Sequence, residues 1–457
     1  MSDPGAPLRK AAIEARLAVS AGRLSARDAA ELQGRGLPVR DRALMLNLIA
    51  GTTRHLLTLD HLLCRHLRRR IDRLDPPVLE SLRVGAFQLV FCLRIPPHAA
   101  VSTTVEAAKA LSARGAGTVN AVLRALASEI EARGPLKGDE PPLRTLPDGA
   151  GSGCRFRVPV LPDGDPRSPS LLSIRFSLPA WLLERWISRF GPAEAERLAL
   201  QSLAPPVLLL RPNPARGDAR ALAARLAGAG VEAEALPSGA VRLLHPGDLT
   251  ALPGWAEGAF SVQDAAGQAA AQALGVCPGE RILDLCAGVG GKTCALAEQA
   301  GVSGKVVAVD LSERRLERLR TSAARLGLSN IEAWEGDALV LAAGWKEAFD
   351  DVLLDAPCTN TGVLRRRPEA RWRLTPEDPA RLAAIQARLL EAAATCVKPG
   401  GRLVYSTCSL ETEENEGVSR AFSASHSSFT QEAETLTLPS EASDGGYWAR
   451  WRLSAAP

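Results

Sequence analysis

The chain has 457 residues, enough for two or three domains, and its 46% hydrophobic and 23% charged content is ordinary for a soluble globular protein. A net charge of only +4 gives no argument for a nucleic-acid partner, so any such argument depends on local clusters. Nine cysteines without C-x-x-C pairs exclude a disulfide framework and a zinc site. With no apolar segment after residues 1–5 and no membrane-length stretch, we expect a cytoplasmic protein without signal peptide, membrane anchor or metal.

Residues 7–133 carry apolar residues at helical spacing with short connections, which predicts an all-α bundle. A basic run, RHLRRR, occupies residues 65–70. Arg68 and Arg69 in this run are candidates for phosphate contacts, since arginines that neutralise phosphates supply most non-specific affinity for nucleic acid. A solvated helix face is the alternative interpretation of such a charge run.

The same region resembles the antitermination-factor (NusB-like) domain that is fused to some RNA methyltransferases. The resemblance depends on four sequence blocks in a fixed order, which are residues 85–89, 95–100, 104–107 and 119–124. It implies a helical RNA-binding domain over residues 1–133.

Residues 134–170 are rich in Pro, Gly and Asp without periodicity, and we predict an extended linker there. A small α/β module is predicted over residues 171–257, from a helix near residue 180, a strand at 207–211, a helix at 219–227 and two short strands. From residue 258 strands and helices alternate, which predicts a Rossmann-like domain with a mostly parallel sheet over residues 258–457. The predicted fold is therefore multidomain.

A glycine-rich loop follows the predicted strand 281–285 and opens a helix. Glycines at 288, 290 and 291 permit a tight turn and a close approach of the backbone to a ligand. The candidate cofactor-binding residues of this loop are Cys286, Ala287, Gly288, Val289, Gly290, Gly291 and Lys292.

An acid follows each of the next three predicted strands: Asp310, Asp337 and Asp355. A nicotinamide cofactor is the alternative, but the glycines do not follow G-x-G-x-x-G and nothing downstream resembles a hydride-transfer site. Three such acids favour S-adenosylmethionine, with Asp310 at the ribose, Asp337 at the adenine amino group and Asp355 near the methionine end.

Two cysteines, Cys358 and Cys408, each follow a short apolar run that predicts a buried parallel strand. If both strands lie in one sheet, both thiols reach the cleft beyond its carboxyl edge. A thiolate that adds to carbon 6 of a pyrimidine makes carbon 5 nucleophilic enough to accept a methyl group, and Asp355 is the candidate acid near ring nitrogen 3. No histidine lies between His245 and His426, so a cation such as Lys292 is the candidate for activating the thiol.

Three motifs together resemble those of the RNA cytosine-5 methyltransferases, of the bacterial small-subunit ribosomal RNA (Sun/Fmu, RsmB) type. They are DLCAGVGGKT at 284–293, DAPC at 355–358 with Thr361 and Gly362, and YSTCS at 405–409. The resemblance implies that Cys408 is the nucleophile and that Cys358 assists product release. It also implies S-adenosylmethionine as cofactor and 16S ribosomal RNA as partner. Val289 and Asn360 depart from the family, which usually has Pro and commonly Gly there.

A basic run follows Cys358 and contains one tryptophan, which suits phosphate contacts with base stacking on unpaired RNA. Its candidate RNA-binding residues are Arg365, Arg366, Arg367, Arg371 and Trp372. The acidic residues 413–416 match the family's segment after Cys408 and leave two interpretations open, a solvated helix start or a direct role.

Two other functions compete with rRNA methylation. The first is a non-catalytic RNA-binding, ribosome-assembly or antitermination factor with a decayed methyltransferase domain, against which the two thiols and three acids argue. The second is a tRNA or DNA cytosine-5 methyltransferase. DNA enzymes place the nucleophile on the Pro-Cys motif, so the presence of both cysteine motifs favours RNA. We expect a monomer.

Overall fold

The computed structural model describes residues 5–244 and 247–455. The chain divides into two compact units: Met1–Pro205 with Leu364–Pro376, and Pro206–Val363 with Glu377–Pro457. We call them unit 1 and unit 2. The chain leaves unit 2 after Val363, contributes a short segment to unit 1, and returns to unit 2 at Glu377.

Residues 1–4, part of the stretch that predicts no signal peptide, lie outside the described residues. Within the described ranges, no helix has both the length and the apolar character needed to cross a bilayer. The same ranges contain no group of three or more His, Cys, Asp or Glu side chains placed to hold a metal ion.

Unit 1 begins with a helical bundle, which confirms the prediction for the N-terminal region. Its helices are α1 (Ala6–Ser20), α2 (Ala26–Gln33), α3 (Val39–Arg54), α4 (Leu56–Cys64), α5 (Pro76–Phe91), α6 (Pro97–Leu111) and α7 (Ala116–Glu129). Leu48, Leu82 and Leu123 are fully buried in its core. Proline begins both α5 and α6, where the missing N–H costs nothing because the first turn has no intrahelical acceptor for it.

Residues 134–170 are not the extended linker that their composition predicts. They complete a three-stranded antiparallel sheet of order β1-β3-β2, with β1 (Ile130–Pro135), β2 (Thr145–Pro147) and β3 (Ser152–Phe156). Leu146, Cys154 and Phe156 are buried in the apolar core of the helices. Strands of three to six residues are too short to give a clear alternating pattern, and here they are separated by Pro and Gly turns.

Three further helices belong to unit 1 rather than to the module predicted from residue 171. They are α8 (Pro169–Phe176), α9 (Ala180–Phe190) and α10 (Pro192–Leu203). Trp186 and Leu198 on these helices are almost fully buried.

Unit 2 opens with a small antiparallel sheet of order β5-β6-β4-β7 that packs on one helix. Its elements are β4 (Leu208–Pro212), α11 (Ala219–Gly228), β5 (Ala233–Ala235), β6 (Val241–Leu243) and β7 (Phe260–Val262). Leu210, Leu226 and Phe260 form its core. The strands of the predicted α/β module therefore extend slightly past its predicted end at residue 257.

The rest of unit 2 is built on a seven-stranded sheet of order β10-β9-β8-β11-β12-β14-β13. Its elements are α12 (Ala265–Ala273), β8 (Arg281–Leu285), α13 (Gly291–Ala300), β9 (Lys305–Asp310), α14 (Glu313–Leu326), β10 (Ile331–Glu335), α15 (Ala338–Ala342), β11 (Phe349–Asp355), α17 (Asp378–Thr395), β12 (Val397–Thr407), α18 (Val418–Ser425), β13 (Phe429–Thr437) and β14 (Gly446–Leu453), while α16 (Ala370–Arg373) lies in the segment of unit 1.

Five strands of this sheet, β8 to β12, are parallel, and only β13 and β14 pair antiparallel. Leu283, Val307, Leu353 and Val404 on four of them are buried, as the apolar runs predict. The Rossmann-like fold with a mostly parallel sheet is thus confirmed. Because the chain order reverses between β8 and β11, the crevice beyond the carboxyl ends of these two strands is where a ligand binds in such sheets.

Candidate active site

The glycine-rich loop connects β8 to α13 at the carboxyl edge of the sheet. Cys286, Gly288 and Gly290 have φ values of 63°, 61° and 85°, the left-handed region that glycine adopts without strain. A Cβ at Gly290 would lie 2.4 Å from the Leu319 side chain, so packing also requires glycine there. A Cβ at Gly288 would meet nothing within 4 Å, which leaves its backbone open to a ligand. Gly291 then begins α13.

The other loop residues differ in exposure. Ala287 is buried and its N–H donates to a carbonyl of β9 at 2.8 Å, whereas Val289 is 51% exposed. Burial, and next the carboxylates of Asp355 and Asp310, raise the pKa of Cys286 to about 12. The Cys286 thiol therefore stays neutral and is not a nucleophile at physiological pH.

Two predicted acids, Asp310 and Asp337, follow the neighbouring strands β9 and β10. The Asp310 carboxylate is buried and accepts the N–H groups of Gly288 at 2.8 Å and Ser312 at 2.9 Å. Each of its oxygens keeps a second lone pair for another donor. Asp337 is exposed and accepts the N–H of Leu339 at 2.9 Å at the start of α15. A glycine loop with acceptors beside it fits the ribose and adenine of S-adenosylmethionine.

A partly buried ion pair lies beside this loop. Lys292 Nζ is 2.6 Å from Asp355 Oδ2, and Ser406 Oγ donates to Asp355 Oδ1 at 2.9 Å. Burial by itself lowers the pKa of Lys292, but Asp355, with Cys408 and Asp284, raises it above its ordinary value. The ammonium therefore stays charged, and Cys408 is one of the groups whose negative form it stabilises.

The two cysteines that are 50 residues apart in sequence meet at the same edge of the sheet. Asp355 pairs with Ser406 in the β11–β12 register, and Cys358 Sγ lies 3.2 Å from Cys408 Sγ. The hydrogen bond to Cys408, followed by burial and the charges of Cys408 and Glu414, raises the pKa of Cys358 well above its ordinary value. The Cys358 thiol therefore stays protonated in this environment.

Asn360 bridges the loops that carry the two thiols. Its Oδ1 accepts from Cys408 Sγ at 3.3 Å, and its Nδ2 donates to the Cys358 carbonyl at 2.6 Å. Its φ of 63° is left-handed, a conformation that glycine and asparagine adopt more readily than other residues. Asn360 therefore fits the backbone at this position and adds two contacts.

Three buried polar side chains of this site, Asp284, Glu414 and Asn415, have no single role that the sequence predicts. Asp284, under the glycine loop, accepts from Thr293 Oγ1 at 2.6 Å, and burial raises its pKa to about 7. Glu414 and Asn415 are fully buried, so the interpretation of residues 413–416 as a solvated helix start is wrong for these two. Hydropathy gives no signal for Glu414, because only the fold brings its partners Thr359 and Gln386 to it.

The basic run after Cys358 is divided between buried and exposed side chains. Arg371 is fully buried in unit 1, where its guanidinium donates to the carbonyls of Ser202 at 2.9 Å and of Arg54 and Ser177 at 3.1 Å. These carbonyls belong to the C-terminal ends of α10, α3 and α8, whose partial negative charge favours a cation. Arg371 is therefore a shared cap of three helices, not the RNA contact that the sequence predicts.

The other predicted RNA-binding residues differ in their exposure to solvent. Arg365 is 2% exposed, which does not suit the predicted RNA surface. Trp372 is half-buried and its Nε1 donates to the Thr53 carbonyl at 2.6 Å, so base stacking on its ring stays a prediction. Arg366 is half-buried, and Arg367 is exposed. Arg68 and Arg69, which follow α4, are also exposed. RNA contact by these last four arginines stays a prediction.

Three family models match successive parts of the chain. The NusB family covers residues 7–128, the Methyltr_RsmF/B-like ferredoxin-like domain covers 178–250, and 16S rRNA methyltransferase RsmB/F covers 271–445. The last range contains the glycine loop, the three acids and both thiols.

Curated relatives match over nearly the whole chain. Ribosomal RNA small subunit methyltransferase B of Pseudomonas putida is 36% identical over 95% of this chain and 92% of its own. Probable ribosomal RNA small subunit methyltransferase B of Synechocystis sp. is 35% identical over 89% of this chain and 86% of its own.

Solved structures share the fold. The crystal structure of PH0851 covers 99% of both chains with a TM-score of 0.76, and at 23% identity it supports the fold alone. A methyltransferase homolog protein from Pyrococcus horikoshii is 28% identical with a TM-score of 0.55, over 62% of this chain and 97% of its own. Together with the site, these relatives confirm S-adenosylmethionine as the cofactor. The chain belongs to the 16S rRNA methyltransferase RsmB/F family, the S-adenosylmethionine-dependent methyltransferases of small-subunit ribosomal RNA.

Proposed function

We propose that this protein methylates carbon 5 of a cytosine in 16S ribosomal RNA and that Cys408 bonds covalently to carbon 6 of the ring. The observation that carries the proposal is the pair of thiols 3.2 Å apart beside the Lys292–Asp355 ion pair. Methylation of an oxygen or an amino nitrogen needs no thiol. Carbon 5 of a pyrimidine, in contrast, is a weak nucleophile until a thiolate adds at carbon 6.

The cofactor would be held by the glycine loop at residues 286–291 together with Asp310 and Asp337. When bound, S-adenosylmethionine supplies an electrophilic methyl group. In this proposal the loop backbone approaches the cofactor closely, because Gly288 has open space beside it. Asp310, already fixed by two N–H donors, accepts from the ribose hydroxyls.

The covalent chemistry is assigned to the second thiol. The Cys408 thiolate, stabilised by the Lys292 ammonium, forms the Sγ–C6 bond, and the electron pair of the C5–C6 double bond shifts into the ring. Asp355, positioned by Ser406, acts here as the acid: it takes up a proton and donates it in a hydrogen bond to ring nitrogen 3, where negative charge develops. After carbon 5 is methylated, a base removes its proton, the C5–C6 double bond re-forms, and Cys408 leaves as thiolate. Cys358, in contact with Cys408, assists this release.

The RNA surface is assigned to arginines of unit 1. Arg68, Arg69 and Arg367 are exposed, and arginines that contact phosphates make binding salt-dependent. Replacing one of them with glutamine is expected to weaken binding of 16S rRNA fragments uniformly and to lower the salt slope of the affinity by about one. The target cytosine must leave its stack, which costs a few kcal/mol in a duplex, so an unpaired cytosine is the easier substrate.

Variants of the two thiols test the proposal. Cys408→Ala is expected to abolish methylation, and Cys358→Ala to accumulate a covalent protein–RNA adduct that survives denaturing electrophoresis. Cys277→Ala, at an exposed thiol outside the site, is the matched control. Bisulfite mapping of ribosomal RNA from cells with and without the gene locates the base. If Cys408→Ala methylates RNA at a near wild-type rate, the assignment of roles is wrong.

The two competing functions give different results. A non-catalytic factor predicts no detectable binding of S-adenosylmethionine by calorimetry even in large excess. A DNA enzyme predicts methylation of duplex DNA and indifference to the loss of Cys408. A tRNA enzyme predicts that transfer RNA, not 16S rRNA, gains the methyl group in the same assay.

A further inference from the structure

Glu414 lies in a single π-helical turn, Glu413–Gly417, between β12 and α18. Its side chain is fully buried, and its carboxylate accepts four hydrogen bonds, two on each oxygen. Oε1 accepts from the Thr359 N–H at 2.9 Å and from Gln386 Nε2 at 3.0 Å. Oε2 accepts from the hydroxyls of Thr359 and Ser409.

Two of the donor residues follow the thiols directly in sequence. Thr359 is joined to Cys358 by a peptide bond, and Ser409 is joined to Cys408 in the same way. Gln386, the third, also donates to the carbonyl of Pro357 at 2.9 Å, on the other side of Cys358. One carboxylate therefore fixes both loops, so the contact between the thiols depends on it.

The donor set indicates that Glu414 is ionised. The backbone N–H of Thr359 and the amide NH₂ of Gln386 can only donate, so Oε1 accepts both of its hydrogen bonds and carries no proton. Burial raises the pKa of Glu414 above its ordinary value, and these donors offset that effect only in part. None of the four donors is charged, so the negative charge is not neutralised by a salt bridge among them.

We propose that Glu414 is a positioning residue that gives the two thiols different roles. Its carboxylate holds both thiol loops and, together with burial and the contact with Cys408, keeps Cys358 protonated, while Cys408, beside the Lys292 ammonium, becomes the thiolate. This proposal rests on the proposed function for the meaning of the two roles. The surrounding titratable groups are Lys292 from α13, Asp284 from β8, Asp355 from β11 and Tyr405 from β12, besides Glu414 itself.

The difference between Cys358 and Cys408 follows from the charged groups near each thiol. Cys358 is adjacent to the residue that gives Glu414 two hydrogen bonds, and the charge of Glu414 is one cause of the raised pKa of Cys358. Cys408 contributes to the raised pKa of Lys292, so the thiolate and the ammonium stabilise each other. Like charge disfavours ionisation and opposite charge favours it.

The test is alkylation of each cysteine by iodoacetamide as a function of pH, followed by peptide mass spectrometry at low extent of reaction. It uses the full-length protein and needs neither RNA nor S-adenosylmethionine, so its outcome is independent of whether the methyl acceptor is cytosine. In Glu414→Gln, the midpoint pH of Cys358 is expected to fall by about one unit, a tenfold change in thiolate fraction, and by more than that of Cys408. Glu413→Gln, the same change one residue earlier in the turn, is expected to leave both midpoints unchanged.

Three results would overturn the proposal. The first is an unchanged Cys358 midpoint in Glu414→Gln. The second is an equal change at both thiols, or faster alkylation at every pH without a shift, which is what a purely structural role gives. The third needs no variant and applies even if Glu414→Gln does not fold: in the wild-type protein, Cys358 ionises at a lower pH than Cys408.

Discussion

Replacing Arg371 with methionine separates a structural role from the RNA contact that the sequence predicts. The guanidinium is fully buried in unit 1 and meets carbonyls from the ends of α3, α8 and α10, with a fourth, weaker contact to Leu364 at 3.4 Å. Methionine has a similar length, so it fills most of the space but leaves these carbonyl oxygens without a donor.

The magnitude follows from the three shorter contacts. A hydrogen bond to a charged group contributes about 1.5–3 kcal/mol, and the low end applies here because burying the guanidinium has a desolvation cost of its own. That cost also lowers the pKa of Arg371 to about 9. We therefore expect the free energy of unfolding of unit 1 to fall by about 4–5 kcal/mol, a large part of the stability of an ordinary domain.

The assay is urea unfolding of the full-length protein, combined with the affinity for a 16S rRNA fragment under conditions where the variant is folded. Arg367→Met, an exposed arginine four residues earlier, is the matched control and is expected to change stability by less than about 0.5 kcal/mol. The reasoning is refuted if Arg371→Met unfolds like the wild type while its affinity for RNA falls, because Arg371 would then be an RNA contact.

Three further predictions concern the active site. Lys292→Met is expected to slow methylation at neutral pH and to shift the pH–rate profile to higher pH, because the Cys408 thiolate loses its ammonium neighbour. An unshifted profile would contradict this. Asn360→Ala is expected to be less stable than Asn360→Gly by about 1 kcal/mol in urea unfolding, since φ is 63° and only glycine avoids the left-handed penalty; equal stabilities would rule the strain out. For Asp284, burial raises the pKa from 3.8 to about 7, so the folded chain keeps a proton that the unfolded chain loses, and the stability from this group falls as pH rises between those values. Asp284→Asn should remove that part of the pH dependence, and parallel stability curves for variant and wild type would argue against it.

The sequence predicts the catalytic sheet well, because its parallel strands are buried on both faces and give continuous apolar runs. The carboxyl-edge rule then brings Asp355, Cys358 and Cys408 together without knowledge of the fold. The burial of polar side chains, in contrast, does not follow from the sequence. Whether Glu414 or Arg371 is exposed or buried depends on donors or acceptors that distant segments supply. A run of charged residues looks the same in the sequence whether its side chains are exposed or buried. The sequence does not predict the short strands at residues 130–156 for a related reason, since only pairing with one another makes these segments strands.

The segment Leu364–Pro376 has a consequence for the order of folding during synthesis. Unit 1 includes residues up to Pro205, yet α16 and the buried Arg371 come from the far side of the first part of unit 2. The ribosome must therefore extend the chain by about 170 residues after Pro205 before unit 1 can be completed, which at roughly 5–20 residues per second takes on the order of ten to thirty seconds. During that interval, the C-terminal ends of α3, α8 and α10 lack the hydrogen bonds from Arg371. A truncation after Pro205 would make that incomplete state permanent.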